Sequence, residues 1–374
     1  MKLLITGGAG FVGARLARTL LARGTLAGAK IDHVVLADQF APPADLMADA
    51  RVSARTGALL SQAAALADEG FDGVFHLASA VSGECEADFD LGLRSNLDTT
   101  RALLDGFRHA GKAPRLVFSS SVAVFGPDPA VPLPPIVTDT TLPAPQTSYG
   151  THKLICEHLV ADYTRKGYID GRSARLMTVT VRPGKPNGAA SSFFSGIIRE
   201  PLAGVESVCP VSPEVSHPVS SPGRTVDALI AVYEASREAF NGRTAMNLPA
   251  LNVKVSEMLA ALEEVAGKAV RARVRFERDE RIAGIVANWP TGATAGRAAA
   301  LGLKPDTDVK VLKQGFNVDP LLQNQAACIS TMIYNEYWQV IDAGVKEKDL
   351  VTFFYEKEGV ASLGGYAEVF QRNV

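Results

Sequence analysis

The first half of the chain alternates short apolar runs with longer stretches in which apolar residues recur every three or four positions. Apolar runs at residues 2–6, 34–37, 74–77, 115–118 and 177–181 predict strands. The periodic stretches, at about residues 14–22, 87–109 and 149–165, predict helices. Strands that alternate with helices form a parallel sheet with helices on both faces. The pattern therefore predicts a doubly wound α/β fold, whose ligands bind at the carboxyl ends of the strands.

Beyond about Pro183 the alternation becomes irregular. Residues 126–145 already carry seven prolines, which predict a loop crossing toward the helix at residue 149. Further helices are predicted near residues 226–240 and 256–266, the second with Ser256 as its N-cap. We expect a Rossmann domain over residues 1–182, a smaller mixed substrate-binding portion over residues 183–308, and an appended tail over residues 309–374.

The composition excludes several classes of protein. Of 374 residues, 47% are hydrophobic and 21% charged, with a formal net charge of −2, so no basic surface for nucleic acid is indicated. No uninterrupted apolar run is long enough to span a membrane. The four cysteines, at positions 85, 156, 209 and 328, are widely separated and no histidine lies at ligand spacing, so neither a disulfide framework nor a metal site is indicated. We expect a cytoplasmic protein that binds neither nucleic acid nor membrane.

A glycine-rich turn follows the first predicted strand and precedes the first predicted helix. It supplies five candidate cofactor-binding residues: Gly7, Gly10, Phe11, Val12 and Gly13. Glycines let backbone N–H groups approach a pyrophosphate, and the helix N-terminus adds favourable partial charge. Asp38 follows 25 residues after Gly13, at the end of the second predicted strand. A carboxylate there suits the ribose hydroxyls of NAD and repels the extra phosphate of NADP, although Asp38 alone would also fit a solvated turn.

A tyrosine and a lysine four residues apart carry the candidate chemistry. Tyr149 and Lys153 fall on one face of a predicted helix, so their side chains can meet. An ammonium near a phenol lowers the phenol pKa from about 10 toward neutral pH. Such a tyrosine can take a proton from an alcohol, which a hydroxyl of the run Ser119-Ser120-Ser121 can hold. The alternative is that Tyr149 and Lys153 are an amphipathic pair on a surface helix without a catalytic role. The serine run and the glycine turn argue against this alternative.

The order and spacing of these motifs resemble the extended short-chain dehydrogenase/reductase superfamily over about residues 1–308. The resemblance is carried by the glycine turn, His76-Leu77-Ala78-Ser79-Ala80, Asn96, the serine run leading to Gly126, Tyr149-x-x-x-Lys153, and Arg182-Pro183. Within the superfamily, the stretches at residues 81–92, 182–187 and 191–204 are similar to D-erythronate dehydrogenases. That family oxidises the 2-hydroxyl of a four-carbon sugar acid with NAD, and the same activity is expected here.

The resemblance implies a role for each site residue. Tyr149 would be the general base toward the 2-hydroxyl, Ser121 would hold the reacting oxygen, and Lys153 would lower the Tyr149 pKa and bond the nicotinamide ribose. Further cofactor contacts would come from Leu77, Ala78, Ser79, Asn96 and Pro183. The candidates for the substrate carboxylate and hydroxyls are Ser82, Lys185 and Asn187. A homodimer is compatible with the resemblance, since the family is commonly dimeric.

Several of these residues also have a purely structural interpretation. His76 ends an apolar strand and is expected to be a core histidine, Ser119 and Ser120 are expected to bond backbone, and Lys185 would fit a plain surface lysine nearly as well. Two positions depart from the family pattern. Ala58 stands where many members have an aspartate that meets the adenine, and Arg224 lies one residue later than the arginine of the erythronate enzymes.

Related activities on the same fold remain alternatives. A nucleotide-sugar epimerase would share nearly all the motifs but would return the hydride to its substrate, so it is the second hypothesis. A 4,6-dehydratase would carry an Asp-Glu pair where Val122-Ala123 stand, which argues against dehydration. A non-enzymatic cofactor sensor would typically lack the Tyr–Lys pair.

The tail, from about residue 311, resembles a stretch of the substrate-binding proteins of ABC importers for thiamine-pyrimidine precursors. About fifty residues cannot form even one lobe of such a protein, so we interpret the tail as a fused fragment without its own function. Removal of the residues from Val311 onward is expected to leave NAD affinity unchanged in a binding titration. A large loss of affinity would show that the tail is integral to the fold.

Overall fold

The computed structural model describes residues 1–184, 189–307, 309, 328–332, 350–354 and 366–371. The chain divides into a large unit, Met1–Leu20 with Gly24–Lys313, and a small unit, Leu21–Arg23 with Gln314–Val374. The three-part division expected from the sequence, with boundaries at residues 182 and 308, stays a prediction.

Helices and strands alternate through most of the large unit. Its strands are β1 (Lys2–Thr6), β2 (Thr25–Leu26), β3 (Ala29–Lys30), β4 (His33–Asp38), β5 (Val52–Thr56), β6 (Gly73–His76), β7 (Arg115–Ser121), β8 (Ile136–Val137), β9 (Asp170–Leu176), β10 (Thr178–Val179), β11 (Ser207–Cys209), β12 (Ser216–Ser220), β13 (Met246–Asn247), β14 (Leu251–Lys254), β15 (Val274–Phe276) and β16 (Gly292–Ala293). Its helices are α1 (Phe11–Arg23), α2 (Ala44–Met47), α3 (Leu59–Asp68), α4 (Ser82–Ala87), α5 (Phe89–Gly92), α6 (Thr99–Ala110), α7 (Ser148–Arg165), α8 (Ser192–Leu202), α9 (Pro222–Glu234), α10 (Arg237–Phe240), α11 (Val255–Ala266), α12 (Lys268–Arg271), α13 (Glu280–Val286) and α14 (Gly296–Ala300).

A seven-stranded sheet in the order β13-β9-β7-β6-β1-β4-β5 forms the centre of the large unit, and every pairing in it is parallel. Ile5 of β1 pairs with Leu36 of β4 on one side and with Phe75 of β6 on the other. The strand order therefore reverses at β1. In open α/β sheets ligands bind in the crevice at such a reversal, beyond the carboxyl ends of the strands. The predicted doubly wound parallel sheet is confirmed.

Helices cover both faces of this sheet because its strands are apolar on both sides. On one face Leu4, Val35 and Val74 pack in a single buried cluster with side chains of α3, α6 and α7. The neighbouring residue Phe75 points to the opposite face. There its ring stacks on Tyr233 of α9, with 5.2 Å between ring centroids. The sheet is thus a rigid support for the loops at its carboxyl edge.

A smaller mixed portion follows β9, as the irregular pattern after Pro183 predicts. It contains the three-stranded sheet β10-β12-β14 and the parallel pair β11-β15. A separate buried cluster from α8, α11, α13 and these strands forms its core. Two of its later elements return to the large sheet, because β13 pairs with β9 and α9 packs against β7 and β9.

The strand predicted over residues 177–181 is wrong as a strand of the large sheet. The sheet strand is β9, and β10 belongs to the small sheet. The apolar pattern misses β9 because two of its buried side chains are arginines. Arg172 donates to the Asp170 carboxylate at 2.8 Å, and Arg175 forms two hydrogen bonds to Glu157 at 2.8 and 2.7 Å. Pairing of this kind allows charged residues in a core, where hydrophobicity does not predict them.

Two predicted helices differ in detail. The helix expected over residues 87–109 is interrupted, because a π-helical segment, Leu93–Asp98, lies between α5 and α6. Helix α11 begins at Val255, so Ser256 lies inside the helix and is not its N-cap. The first turn is capped by Glu257, whose carboxylate accepts the Lys254 N–H at 2.7 Å. β5 and α3 lie in a stretch for which no element is predicted.

After residue 313, the described residues of the small unit form an antiparallel sheet. Its strands are β17 (Cys328–Met332), β18 (Leu350–Phe354) and β19 (Tyr366–Gln371), with β19 between the other two. Val311, where the tail resemblance begins, lies outside the described residues. None of the helices that the structure describes is both long and apolar enough to cross a bilayer.

Candidate active site

The glycine turn forms a tight cradle between β1 and the N-terminus of α1. Gly7 has a φ of 71°, and a Cβ placed on it would lie 2.8 Å from the backbone nitrogen of Ala78. A Cβ on Gly13 would lie 2.1 Å from the Gly7 oxygen. Only glycine allows these backbone approaches. Exposed amides at a helix N-terminus suit a pyrophosphate, so the cradle fits a dinucleotide.

Asp38 ends β4 beside this cradle. Its carboxylate accepts the Ala9 N–H at 3.0 Å and the Phe40 N–H at 3.1 Å. The backbone of the turn thus orients an acidic group at the sheet edge where the ribose of a bound dinucleotide is expected. The Asp38 carboxylate and the cradle together therefore fit NAD, as predicted.

The loop after β6 is held from both sides. Thr6 Oγ1 accepts the N–H groups of Leu77 and Ala78 at 3.1 and 3.2 Å. Asn96, which is 3% exposed, accepts the Ser79 hydroxyl at 3.0 Å and the Ala80 N–H at 2.8 Å. Asn96 therefore organises this loop from a buried position, and its predicted contact with the cofactor stays a prediction.

His76 is a core histidine, as expected. Its Nδ1 hydrogen-bonds Thr6 at 2.7 Å and its Nε2 hydrogen-bonds Thr100 at 2.9 Å. Burial lowers the pKa of the His76 imidazole to about 3, so it stays neutral near pH 7. Ser119 donates to the His76 carbonyl at 3.1 Å, as predicted. The prediction that Ser120 bonds backbone is wrong, because its hydroxyl donates to Glu157 at 2.5 Å.

Ser121, Tyr149 and Lys153 come together where β7 ends and α7 begins. The Ser121 hydroxyl lies near the Tyr149 phenol and lowers its pKa, and the Lys153 Nζ lies 5.5 Å from the centroid of the Tyr149 ring. Lys153 donates to the Ser119 carbonyl at 2.7 Å. The carboxylate of Glu86 on α4 accepts the Ser148 N–H at 2.7 Å, which fixes the start of α7 one residue before Tyr149. All three predicted catalytic side chains therefore share one small volume.

Burial controls the protonation of this pair. It raises the pKa of the Tyr149 phenol to about 12, against the Ser121 hydrogen bond and the Arg182 charge, which both lower it. This direction is the opposite of the one predicted from the spacing to Lys153. Burial also lowers the pKa of the Lys153 ammonium to about 8, because a charge in an apolar site loses its hydration.

Residues after β10 border the same volume. The Arg182 Nε donates to the Val179 carbonyl at 3.0 Å, and its guanidinium lies 6.0 Å from the centroid of the Phe11 ring in the cofactor turn. Pro183 is exposed and follows β10 rather than a strand of the large sheet. The predicted substrate residues Lys185 and Asn187 lie outside the described residues.

A cavity of about 420 Å³ lies between α4 and the smaller portion. Ser82, Glu86 and Thr147 line one side of it, and Thr147 is the N-cap of α7. The opposite side is lined from α8, β11 and α13 by residues that include Ser192, Phe193, Gly196, Glu200, Ser207, Arg281 and Ile285. Its volume is within the range of small-molecule sites, about 300 to 1,000 Å³. The lining includes Ser82 and Thr147, which lies two residues before Tyr149, but not Tyr149 itself, and the substrate role of Ser82 stays a prediction.

Arg224 lies elsewhere. It is exposed on α9 and lines a separate cavity of about 120 Å³ with Asp227 and Lys304.

In the described part of the chain, no group of three His, Cys, Asp or Glu side chains is arranged as a metal site.

Comparison with known proteins agrees with this geometry. The model of the NAD dependent epimerase/dehydratase family matches residues 3–213, which contain the cradle, the serine run and the Tyr–Lys pair. The chain belongs to the NAD dependent epimerase/dehydratase family. NAD is accordingly its cofactor, and the residues of the cradle fit it.

Relatives from this family match nearly their whole length. D-erythronate dehydrogenase of Cupriavidus necator is 50% identical over 328 residues, which cover 85% of this chain and 98% of that protein. D-erythronate dehydrogenase of Haemophilus influenzae is 42% identical over 321 residues, with 84% and 98% covered. Among solved structures, a nucleoside-diphosphate-sugar epimerase from Agrobacterium tumefaciens is 42% identical with a TM-score of 0.78, and covers 83% of this chain and 92% of that one. The resemblance of the tail to importer proteins finds no support in these comparisons.

The epimerase/dehydratase motifs do not identify every residue at the site. Glu86 and Glu200 lie in stretches that resemble the erythronate enzymes, yet nothing in their spacing predicts a hydrogen bond to Ser148 or a place in the cavity wall. Arg182 carries the Arg-Pro motif, but its electrostatic contact with Tyr149 depends on the path of the chain after β10. These three contacts join elements far apart in sequence, so only the fold reveals them.

Proposed function

We propose that the chain is an NAD-dependent dehydrogenase that oxidises the 2-hydroxyl of D-erythronate to 2-oxo-D-erythronate. The observation that carries the proposal is the convergence of Ser121, Tyr149 and Lys153 at the carboxyl edge of the sheet, with a cavity at the start of the helix that carries Tyr149 and Lys153. The two relatives named D-erythronate dehydrogenase support the substrate, because they align with this chain over 98% of their length. A cytoplasmic location and a homodimer stay predictions.

The chain's own residues supply the proton chemistry. Ser121 holds the substrate hydroxyl by a hydrogen bond, and Tyr149 takes the hydroxyl proton as general base. Lys153 is held by its hydrogen bond to the Ser119 carbonyl, and its Nζ lies over the Tyr149 ring. An ammonium in this position stabilises a phenolate. Bound NAD supplies the acceptor for the hydride from the carbinol carbon.

The cavity wall suits an acid that carries several hydroxyls. Ser82 and Ser207 offer hydroxyl groups, Glu200 offers a carboxylate, and Arg281 offers a guanidinium. A sugar acid needs a cation for its carboxylate together with donors and acceptors for its hydroxyls. Lys185 and Asn187 stay candidates for the same role.

The test is formation of NADH by the purified chain from D-erythronate, L-threonate and related acids, with NAD compared against NADP. Turnover of D-erythronate with NAD is expected, and turnover only with NADP or only with another acid would overturn the cofactor or the substrate respectively. The absence of NADH with every acid, despite measurable NAD binding, would overturn the dehydrogenase.

An epimerase is the second candidate. The solved Agrobacterium relative named as a nucleoside-diphosphate-sugar epimerase favours it, because it is 42% identical to this chain and 92% of its own length is covered. An epimerase returns the hydride to its substrate, so incubation with a panel of nucleotide sugars would interconvert epimers without net formation of NADH. We expect no interconversion.

A further inference from the structure

The wall of the cavity near the start of α7 includes Glu200, one of whose carboxylate oxygens has no partner among the described residues. Glu200 lies on α8 and lines the cavity, and its Oε1 accepts a hydrogen bond from the Arg199 guanidinium at 2.5 Å. Its second oxygen, Oε2, is buried and has no hydrogen-bond partner among the described residues. A buried acceptor without a donor loses its hydration and gains nothing in return.

The residue one turn before Glu200 on α8 is a glycine, Gly196. A Cβ placed on Gly196 would lie 3.4 Å from the Glu200 Oε2 and 3.6 Å from the Ser207 hydroxyl. Gly196, Glu200 and Ser207 all line the cavity. A side chain at position 196 would therefore occupy the space that joins these two polar groups.

Glu200 is also connected to the reaction centre. The adjacent Arg199 donates to the Arg182 carbonyl at 2.7 Å, and the charge of Arg182 acts on the Tyr149 phenol. On the far wall of the cavity, Thr147 caps the helix that carries Tyr149. A molecule in this cavity thus lies between Glu200 and the start of the catalytic helix.

The other acidic groups of the cavity are already engaged. Glu86 accepts the Ser148 N–H, and Glu206 is 70% exposed and pairs with Arg275 at 3.3 Å. Glu200 differs because its free oxygen is shielded from water. A carboxylate only accepts hydrogen bonds, so the partner that it lacks is a donor such as a hydroxyl.

We propose that the Glu200 carboxylate accepts a hydrogen bond from a hydroxyl on the substrate's carbon chain, other than the one that is oxidised. Glu200 thereby selects polyhydroxy acids over 2-hydroxy acids with a bare alkyl chain. This inference rests on the proposed oxidation of a sugar acid. A site built to hydrogen-bond a hydroxyl rejects the analogue that lacks it, because the protein group is left unpaired.

The experiment compares two four-carbon ligands in wild type and in Glu200→Gln. D-erythronate carries the additional hydroxyls, and D-2-hydroxybutanoate lacks them. The KM of D-erythronate is measured from NADH formation, and the Ki of D-2-hydroxybutanoate is measured as a competitive inhibitor of that reaction. Turnover of the deoxy acid is therefore not required.

In Glu200→Gln we expect the KM of D-erythronate to rise about tenfold or more, while the Ki of D-2-hydroxybutanoate changes less than about twofold. NAD affinity should stay unchanged. The matched control is Glu214→Gln, because Glu214 is 68% exposed, pairs with Lys254 and lies outside the cavity lining. It should leave both constants unchanged.

A second variant, Glu200→Asp, keeps the charge beside Arg199 but withdraws the oxygens by one methylene. It should also raise the KM of D-erythronate without changing the Ki of D-2-hydroxybutanoate. It replaces Glu200→Gln in the test if that variant does not fold. An equal rise of KM and Ki, or no change in either, overturns the role of Glu200. If wild type forms no NADH from D-erythronate, the proposed function fails first and this assignment falls with it.

Discussion

Tyr149 and Lys153 lie on one face of α7, and their spacing alone predicts that they meet. Their protonation does not follow from spacing. Burial raises the pKa of Tyr149 to about 12 and lowers that of Lys153 to about 8, and burial depends on packing between α7, β7 and the smaller portion. The convergence of Ser121, Tyr149 and Lys153 could therefore be predicted from the sequence, but their electrostatics could not.

The phenol of Tyr149 is the group on which the chemistry depends. Tyr149→Phe is expected to lower kcat for D-erythronate oxidation by about 10² to 10⁴ with NAD affinity retained, because the ring remains and only the base is lost. The control is Tyr163→Phe on the same helix, since the Tyr163 hydroxyl donates to Asp105 at 2.7 Å instead of facing Ser121. Similar activity in Tyr149→Phe and Tyr163→Phe would refute the role of Tyr149.

The raised pKa of Tyr149 also sets a pH dependence. A base must lose its own proton before it accepts one, so kcat/KM for oxidation should rise with pH from about pH 6 to about pH 8, where the Lys153 ammonium begins to lose its charge. In the reverse direction the protonated phenol is the acid, and the rate of reduction should vary little over the same range. Initial rates in both directions measure this. An oxidation profile that is flat or falls with pH contradicts the account.

Among the elements, those with uninterrupted apolar runs could be predicted and those with paired charges could not. β1, β4, β6 and β7 follow from their hydrophobic pattern, and α7 follows from its periodicity. β9 could not be predicted from the apolar pattern, because Arg172 and Arg175 are buried in it beside Asp170 and Glu157. The interruption before α6 could not be predicted, because the π-helical segment does not change the apolar pattern of residues 87–109.

The contact between α4 and α7 predicts a positioning role for Glu86. Glu86→Ala removes the carboxylate that accepts the Ser148 N–H, and a helix N-terminus loses about 1 kcal/mol when such an acceptor is removed. Because a small displacement of Tyr149 affects the reaction strongly, kcat should fall about tenfold while NAD affinity is unchanged.

The control for this variant is Asp90→Ala, an exposed acidic residue on the neighbouring helix α5. Steady-state kinetics and a thermal melt of both variants separate a catalytic effect from a general loss of stability. An unchanged kcat in Glu86→Ala, or an equal loss in Asp90→Ala, would contradict the positioning role.

At the scale of the molecule, the parallel sheet and the order of its strands place the cradle and the Tyr–Lys pair at one edge. The resemblance to known enzymes predicts this arrangement, because the family motifs fall at strand ends. It does not predict the return of β13 to the sheet, since Met246–Asn247 is too short to stand out as a strand. The cavity is lined from α4, α8, β11 and α13, which lie far apart in sequence, so its lining could not be predicted.

Two of the buried histidines, His76 and His217, make the fold sensitive to acid. Burial lowers the pKa of His76 to about 3 and that of His217 to about 4, from 6.5. The folded state keeps both neutral, whereas the unfolded state takes up their protons below pH 6.5. The stability that these two neutral histidines contribute is therefore fully present above pH 6.5 and is lost as the pH falls toward about 4. The free energy of unfolding should fall by about 1.4 kcal/mol per pH unit for each histidine.

Urea unfolding at several pH values between about 6.5 and 4.5 measures this slope. His217→Asn should reduce the slope by the share of one histidine, whatever it does to the stability at neutral pH. The exposed His109→Asn is the control and should leave the slope unchanged. An identical slope in all three proteins would show that His217 is not the group that takes up the proton.

The central claim is that this site moves a hydride from C2 of D-erythronate to NAD. The direct measurement is mass spectrometry of the NADH formed from D-erythronate that carries deuterium at C2. The account predicts that the NADH contains the deuterium and that Tyr149→Phe forms almost none. Unlabelled NADH, or no NADH from a protein that binds NAD, would contradict it.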